Sequence, residues 1–412
     1  MSQKQLVVVG GGAAGFFCAI NAKSLNPNLK IVIVEKTGKL LSKVKVSGGG
    51  RCNVTHDSES IASMVKCYPR GDNFLKKAFH NFFTNDTIEW FNKRGVKLKT
   101  EEDGRMFPIS DSSQTIIDCL MHEVNISDTE ILMNQQVNEI IRCENYFNLK
   151  LSNNSELHAD YVCIASGGFP KVTQFDWLTS MGHSIENPVP SLFTFNIKSD
   201  PITTLMGISV PEVQVKINGS KFLQKGPILI THWGFSGPCV LKLSSFAARY
   251  LAEKNYSFNI SINWVKGKSE QDVLEMFKAL RFQLASQKFI NRNPFLLPQR
   301  LWDYFIIKAG INADVRWADL PAKQQNLFVK NLCAQEFVIS GKTTFKEEFV
   351  TSGGIVTGEI DSSSMESRIV PNLFFAGEII NIDGITGGYN FQNAWTTGFI
   401  AAKAIAQRSM VN

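Results

Sequence analysis

The apolar positions at the start of the chain change period twice. Gln5 to Val9 is a short β-branched run ending at Gly10, which reads as a buried parallel strand. From Ala13 to Leu25 the apolar residues fall at helical spacing, and Asn26-Pro27-Asn28 stops them. Lys30 to Glu35 is a second strand, closed by an acid. Strand, helix and strand predict a βαβ unit whose first turn carries Gly10, Gly12 and Gly15 at GxGxxG spacing. Gly10 permits the tight turn, Gly12 lets the main chain approach a pyrophosphate, and Gly15 lets the helix pack on the strand. The helix start at Ala13 and Ala14 offers unpaired N–H groups and a positive dipole end to that anion. Glu35 stands where a carboxylate accepts hydrogen bonds from both ribose hydroxyls of an adenosine, which favours an unphosphorylated 2′-hydroxyl, as in FAD or NAD.

Further along, the period divides the chain into three. Residues 1–190 hold the βαβ unit and a strand running into small residues at Tyr161 to Gly168. Residues 191–265 and 334–349 alternate, as in LFTFNIK and VQVKING, and predict an antiparallel sheet or small barrel. Residues 266–333 turn helical, interrupted by NPFLLP, and Phe337 to Val350 return to strand. In residues 350–412, Asn372 to Ala376 is a strand leading to Gly377 and Glu378, and GITGGY at 384–389 opens a helix from Asn390 to about Gln407. The fold class is therefore α/β: a discontinuous nucleotide-binding domain, 1–190 with 350–412, interrupted by a β-barrel plus helical domain at 191–349.

Composition narrows the class. Of 412 residues, 44% are hydrophobic and 19% charged, as in a water-soluble globular protein. The net charge of +6 is small for this length, so nucleic acid is not the expected partner. Eight scattered cysteines without a CxxC pair predict reduced thiols and a cytoplasmic location. Six histidines without HExxH spacing predict no metal site. No apolar run is long enough for a membrane span. A signal peptide, with Lys4 as its charged end and Leu6 to Ile20 as its apolar core, would explain neither the glycine spacing nor Glu35.

Between Lys36 and Asn53 the chain reads KTGKLLSKVKVSGGGRCN, with five cations, no acid and a second glycine triplet. Placed directly after the ribose acid, this segment predicts a second wall around the diphosphate. Lys36, Lys43, Ser47, Gly48, Gly49, Arg51, Cys52 and Asn53 are its contact candidates. The stretch VSGGGRCNVTH resembles the signature loop of the BaiN-like NAD(P)/FAD-dependent oxidoreductases, a group that includes the aminoacetone-oxidase-family FAD-binding enzymes. The resemblance returns at THWGFSGP, 231–238, and throughout the tail from TSGGIVTGEID to AWTTGFIAA. It implies a noncovalent FAD in a glutathione-reductase-type Rossmann domain, with the inserted domain over the flavin. It places Glu378, Asn390 and Phe391 at the flavin and Val137, in an expected strand from Glu130 to Glu139, at the adenine. Ala165, Ser166 and Gly167 resemble the crossing where bulk would collide with the dinucleotide. Gly377 and Gly388 complete the set: the small-residue turn beside Glu378 suits a ribityl hydroxyl, and the helix after Gly388 points its dipole at the flavin N1–C2=O edge.

No general acid or base is legible, and His232, Tyr389 and Asn53 are pocket candidates only. The Trp233 neighbourhood is equally suited to structural packing, and GFSG lacks the spacing of a nucleophile elbow. Cys52 has no partner cysteine nearby and reads as a packing residue. Flavin chemistry proceeds through hydride at N5. The resemblance implies an NAD(P)H-linked reductase of a small unsaturated compound, NAD(P)H binding transiently because the chain has one dinucleotide fingerprint. The alternatives are an oxygen-using amine oxidase of the aminoacetone type and a flavoprotein acting on or binding RNA. The sequence assigns no oligomeric state.

Overall fold

The computed structural model describes residues 3–344 and 350–411, so the strand expectation at 345–349 lies outside the described residues. The chain divides into two compact units, Met1–Ser191 with Phe345–Asn412, and Leu192–Thr344.

In the first unit, five parallel strands run in the order Leu373–Phe375, Tyr161–Ile164, Gln5–Val9, Lys30–Glu35 and Glu130–Met133. Val7 pairs with Val162 on one side and Val32 on the other. The strand Gln5–Val9 is therefore flanked by strands as well as covered by helices, which is why Leu6 to Val9 are continuously apolar. The helix Ala13–Leu25 packs along the last helix, Tyr389–Val411. Gly398 allows that approach, since a Cβ there would lie 2.8 Å from Ala14 O. Phe17 seals the contact, its ring centroid 4.6 Å from that of Trp90 and 5.1 Å from that of Trp395.

The expected strand Glu130 to Glu139 is two strands. Asn134 takes a left-handed φ of +57°, and the chain turns from the parallel edge strand into Val137–Arg142 of a separate antiparallel sheet. Asparagine tolerates that conformation, and Gln135 N donates to Glu35 O at 3.0 Å, so the turn is fastened to the end of the second strand.

The second unit is built on a closed barrel of Thr194–Ile197, Gly234–Ser236, Leu223–Thr231, Ser209–Ile217, Ser257–Asn263 and Gln335–Thr343. Its inward residues, among them Phe195, Val215, Ile230, Ile260 and Phe337, alternate with exposed ones. Two helices, Pro238–Phe246 and Ala248–Glu253, lie within the stretch expected to be β-rich. Proline at the first helical position and buried Cys239, Val240 and Leu243 carry a helical period there. The helical part packs Phe277, Phe289, Trp302, Trp317 and Phe328 into an aromatic cluster. No helix among the described residues is long and apolar enough to cross a membrane.

One buried histidine makes stability pH-dependent. His183 is 3% exposed, with Nε2 2.8 Å from Ser367 Oγ, and burial lowers its pKa below the usual 6.5. The unfolded chain therefore binds a proton there more readily than the fold does. Its contribution is complete above the unfolded pKa and lost as pH falls through it. The urea midpoint is expected to drop between about pH 7 and pH 5, and His183→Gln should flatten that drop. An unchanged slope in the variant would remove His183 as its source.

Candidate cofactor site

The turn after the first strand is constrained on both sides and open in the middle. Gly10 has φ +119°, and a Cβ there would lie 2.4 Å from Ala165 O. At Gly15 it would lie 2.0 Å from Gly10 O. Gly12 has ordinary extended angles (φ −96°, ψ −171°) and nothing within 4 Å of where its Cβ would be. The helix that begins at Ala13 has no side-chain cap and no acid in its first turn, so the N–H groups at Ala13 and Ala14 are set to receive an anion.

Glu35 is locked beside this turn. Its Oε2 accepts from Gly11 N at 2.8 Å, and its Oε1 accepts from Thr37 N and Thr37 Oγ1, both at 2.8 Å. A carboxylate has about four acceptor sites, so capacity for one ribose hydroxyl remains beside these three bonds. Val137, 8% exposed and paired opposite Leu151, lies just past the Gln135 bond to Glu35.

The second glycine triplet forms a sharp kink ending the helix Ser42–Gly50. Gly48, Gly49 and Gly50 have φ of +58°, +68° and +84°, a run that side chains would strain. Ser47 leaves helical geometry with ψ 148°, and its carbonyl accepts from Cys52 N at 3.0 Å. Gly49 and Gly50 face open space.

Three cations of this segment have separate partners within the chain. Arg51 Nη1 is 2.6 Å from Glu101 Oε1 and 3.6 Å from Asp111 Oδ1, with its guanidinium 4.0 Å from the centroid of Phe107. Acids distant in sequence neutralise it, and nothing within residues 36–53 signals them. Lys43 pairs with Glu378 at 2.5 Å, and Lys36 lies 5.4 Å from the Phe169 ring.

Around the strand ends the main chain is again bare. Ala165 N donates to Val9 O at 2.8 Å, and Gly167 has φ +75° with nothing within 4 Å of its Cβ position. Gly377, φ +77°, would bring a Cβ within 2.8 Å of Ala14 Cβ, so the tail meets the first turn there. Glu378 bridges Lys43 and Thr351 N, the latter at 2.8 Å. Ser166 Oγ, Thr351 Oγ1 and Ser352 Oγ are buried without a partner among the described residues. Sequence reasoning does not single out Thr351 and Ser352, although they begin the TSGG of the tail.

The loop before the last helix is held from behind. The Asn53 amide, oriented to satisfy both its ends, donates to Thr55 O at 2.9 Å and accepts from Gly388 N at 3.0 Å. Asn390 accepts from Gly384 N and donates to Gly384 O, both at 2.9 Å. Tyr389 is 5% exposed, its ring stacked on His56 at 4.6 Å, and burial pushes its hydroxyl pKa well above the usual tyrosine range. It packs under the loop. Phe391 stacks on Trp395 at 5.8 Å. Asp383, immediately before the loop, is 0% exposed, doubly bonded to the Arg70 guanidinium and 2.9 Å from Ser191 Oγ. Burial pushes its carboxyl upward while Arg70 and Ser191 oppose that. Nothing in the local sequence pattern signals this pair.

His232 belongs to the other unit, where it is exposed in the turn after Leu223–Thr231 with its ring 4.3 Å from that of Trp233. The structure therefore does not bring the three pocket candidates into one unit. Cys52 is fully buried, and burial pushes its thiol up to about 12 against a hydrogen bond with Ser47. Iodoacetamide at about pH 8 is accordingly expected to leave Cys52 unmodified in the native chain, while half-buried Cys67 and Cys143 react. Peptide mass spectrometry reads this, and rapid alkylation of Cys52 would contradict the packing role.

Bare glycine positions, an uncapped helix start, a fixed acid and three unpartnered buried hydroxyls suit a group bearing a diphosphate and several polar edges. No cluster of three metal-binding side chains occurs among the described residues. The chain matches the family described as "HI0933-like protein Rossmann domain" over residues 4–404. It belongs to that family, a group of FAD-dependent oxidoreductases, as the VSGGGRCNVTH resemblance implied. Similar curated proteins include the 3-dehydro-bile acid delta(4,6)-reductase of Clostridium scindens, 26% identical over 97% of this chain and 98% of that one. The ribosomal RNA dihydrouridine synthase of Escherichia coli is 28% identical over 98% of each. The fold is shared with the E. coli quinol fumarate reductase FrdA (TM-score 0.52, 16% identity, 100% of this chain and 71% of that one). It is also shared with the 3-ketosteroid delta1-dehydrogenase of Sterolibacterium denitrificans (TM-score 0.51, 13% identity, 98% and 99%).

Proposed function

We propose that this chain is an NAD(P)H-linked reductase of a carbon–carbon double bond conjugated to a carbonyl. One observation carries the reading: the chain aligns almost end to end with two relatives whose names share that chemistry. A 3-oxo steroid with double bonds at C4 and C6, and a uracil ring with its C5=C6 bond, are both vinylogous carbonyl compounds. Reduction adds a hydride to the β-carbon and a proton to the α-carbon.

Bound in the cradle, FAD would supply hydride chemistry, with NAD(P)H as the source of the hydride. The chain's part is binding, orientation and charge. Gly12 and the N–H groups of Ala13 and Ala14 receive the diphosphate, and Glu35 receives the ribose. Asn53 and Asn390 fix the glycine loop, and the dipole of the helix Tyr389–Val411 would stabilise negative charge on a flavin held there.

A second reading places the conjugated bond in a uridine of RNA. The distribution of charge favours it: Leu192–Thr344 carries 19 Lys and Arg against 10 Asp and Glu, net +9, while the rest carries 24 against 27, net −3. Anaerobic absorbance of the FAD-loaded chain tests both readings. The flavin band should bleach with NADPH or NADH and return on adding a conjugated enone or deproteinised ribosomal RNA. Bleaching by small amines, with none by NAD(P)H, would overturn both in favour of an oxidase.

A further inference from the structure

We propose that the Leu192–Thr344 unit docks RNA through the face where residues 281–292 and 312–319 run together, an inference that rests on the RNA reading above. The two segments are fastened by Phe289 N donating to Val315 O at 2.9 Å and Trp317 N donating to Gln287 O at 3.0 Å. They set Lys288 directly opposite Arg316 across an antiparallel bridge. Directly opposed residues project to one side, and like charges so placed destabilise the pair. Asp314 offsets part of that repulsion by pairing with Lys288, and a counter-charge from outside the chain would relieve the rest. Arg281, whose Nη2 donates to Ala318 O at 2.8 Å, and Arg292, bonded to the Gln287 side chain, add two more cations to the same small area.

The acids present do not cancel this charge. Asp314 pairs with Lys288 at 2.6 Å and is 80% exposed, and Asp319 lies in the same segment. Beside Arg281, Phe282 is 90% exposed, and Leu296, in the following loop, is 92% exposed with a left-handed φ of +55°. Cations for phosphates beside an aromatic ring for a base are the combination that binds unpaired stretches of RNA. An anionic membrane is the less suitable occupant. Two projecting apolar side chains fall short of the continuous apolar face that a membrane-surface helix buries.

The test uses the full-length, FAD-loaded chain and deproteinised ribosomal RNA in a filter-binding titration over a range of salt. The triple variant Lys288→Glu/Arg292→Glu/Arg316→Glu should bind at least about tenfold more weakly and show a shallower salt slope, by about one unit for each phosphate no longer neutralised. A control of equal charge change on the other unit, Lys30→Glu/Lys93→Glu/Lys97→Glu, should bind within about twofold of wild type. Both variants should keep wild-type FAD content and rate of flavin bleaching by NAD(P)H. Equal binding by wild type and the first variant, equal weakening by the control, or preference of the wild type for phosphatidylglycerol vesicles over RNA would each overturn the proposal. If the flavin is reoxidised by a small enone while no RNA binds, this inference fails and the reductase reading stands. If neither acceptor reoxidises it, the reductase reading fails as well.

Discussion

Gly12→Val is expected to lose FAD at least a hundredfold while the chain still folds, a change of about 2.7 kcal/mol in binding. The backbone at Gly12 has angles any residue adopts, and nothing lies within 4 Å of the added Cβ. The protein itself therefore has no steric objection to a side chain there. Its position is the helix N-cap, where valine is less favourable than glycine, so stability should fall by no more than about 1 kcal/mol. In the proposed site, the space it fills is where the diphosphate would touch main chain. Gly15→Val is the contrast: its Cβ would stand 2.0 Å from Gly10 O, and that variant should lose the fold together with the flavin. Equilibrium dialysis with FAD, beside urea unfolding, separates the two effects. A Gly12→Val chain that holds FAD as wild type does would mean that the diphosphate lies elsewhere.

Arg70→Met is expected to destabilise the fold by about 3–5 kcal/mol. The substitution keeps an apolar stem of similar length but strips the cation from a carboxylate with no solvent exposure. Desolvation already pushes the Asp383 carboxyl upward, and without the guanidinium it rises further. A carboxyl raised in the fold contributes stability that is present below its unfolded value of 3.8 and lost as pH climbs through the folded one. The variant should therefore be most impaired near neutrality and recover in acid. Asp383→Asn added to it should restore much of the loss, because no charge then remains to be buried. Urea midpoints across pH measure this, and a single variant within about 1 kcal/mol of wild type would contradict it. Loss of the pair should also loosen Gly384 to Gly388, the loop that Asn53 and Asn390 hold in place.

Local pattern reveals the parts of this protein that depend on neighbours in sequence. The first strand and helix, Gln5–Val9 and Ala13–Leu25, are legible because period, breaker and glycine spacing all act within one turn of chain. The same holds for Lys30–Glu35 and for the barrel alternation. The features that local pattern hides depend on distant partners or on a single dihedral. Asn134 ends a strand by adopting φ +57° where its sequence neighbours read as extended. Pro238–Phe246 is short, so its helical period merges into the surrounding alternation. Arg51 reads as a phosphate candidate from its sequence neighbours, and its pairing with Glu101 and Asp111 comes from residues distant in the chain. Tyr389 and Asn53 are polar residues near a glycine loop, and only the fold reveals their partners, His56 under the Tyr389 ring and Gly388 N for the Asn53 amide.

Both the proposed chemistry and its site require a dinucleotide flavin resting against the glycine turn beside Glu35. Titrating FAD into flavin-free wild-type chain, followed by absorbance and dialysis, measures that most directly. Saturation at one FAD per chain, abolished by Gly12→Val, is the expected result. A folded wild-type chain that stays colourless and takes up no FAD would contradict it.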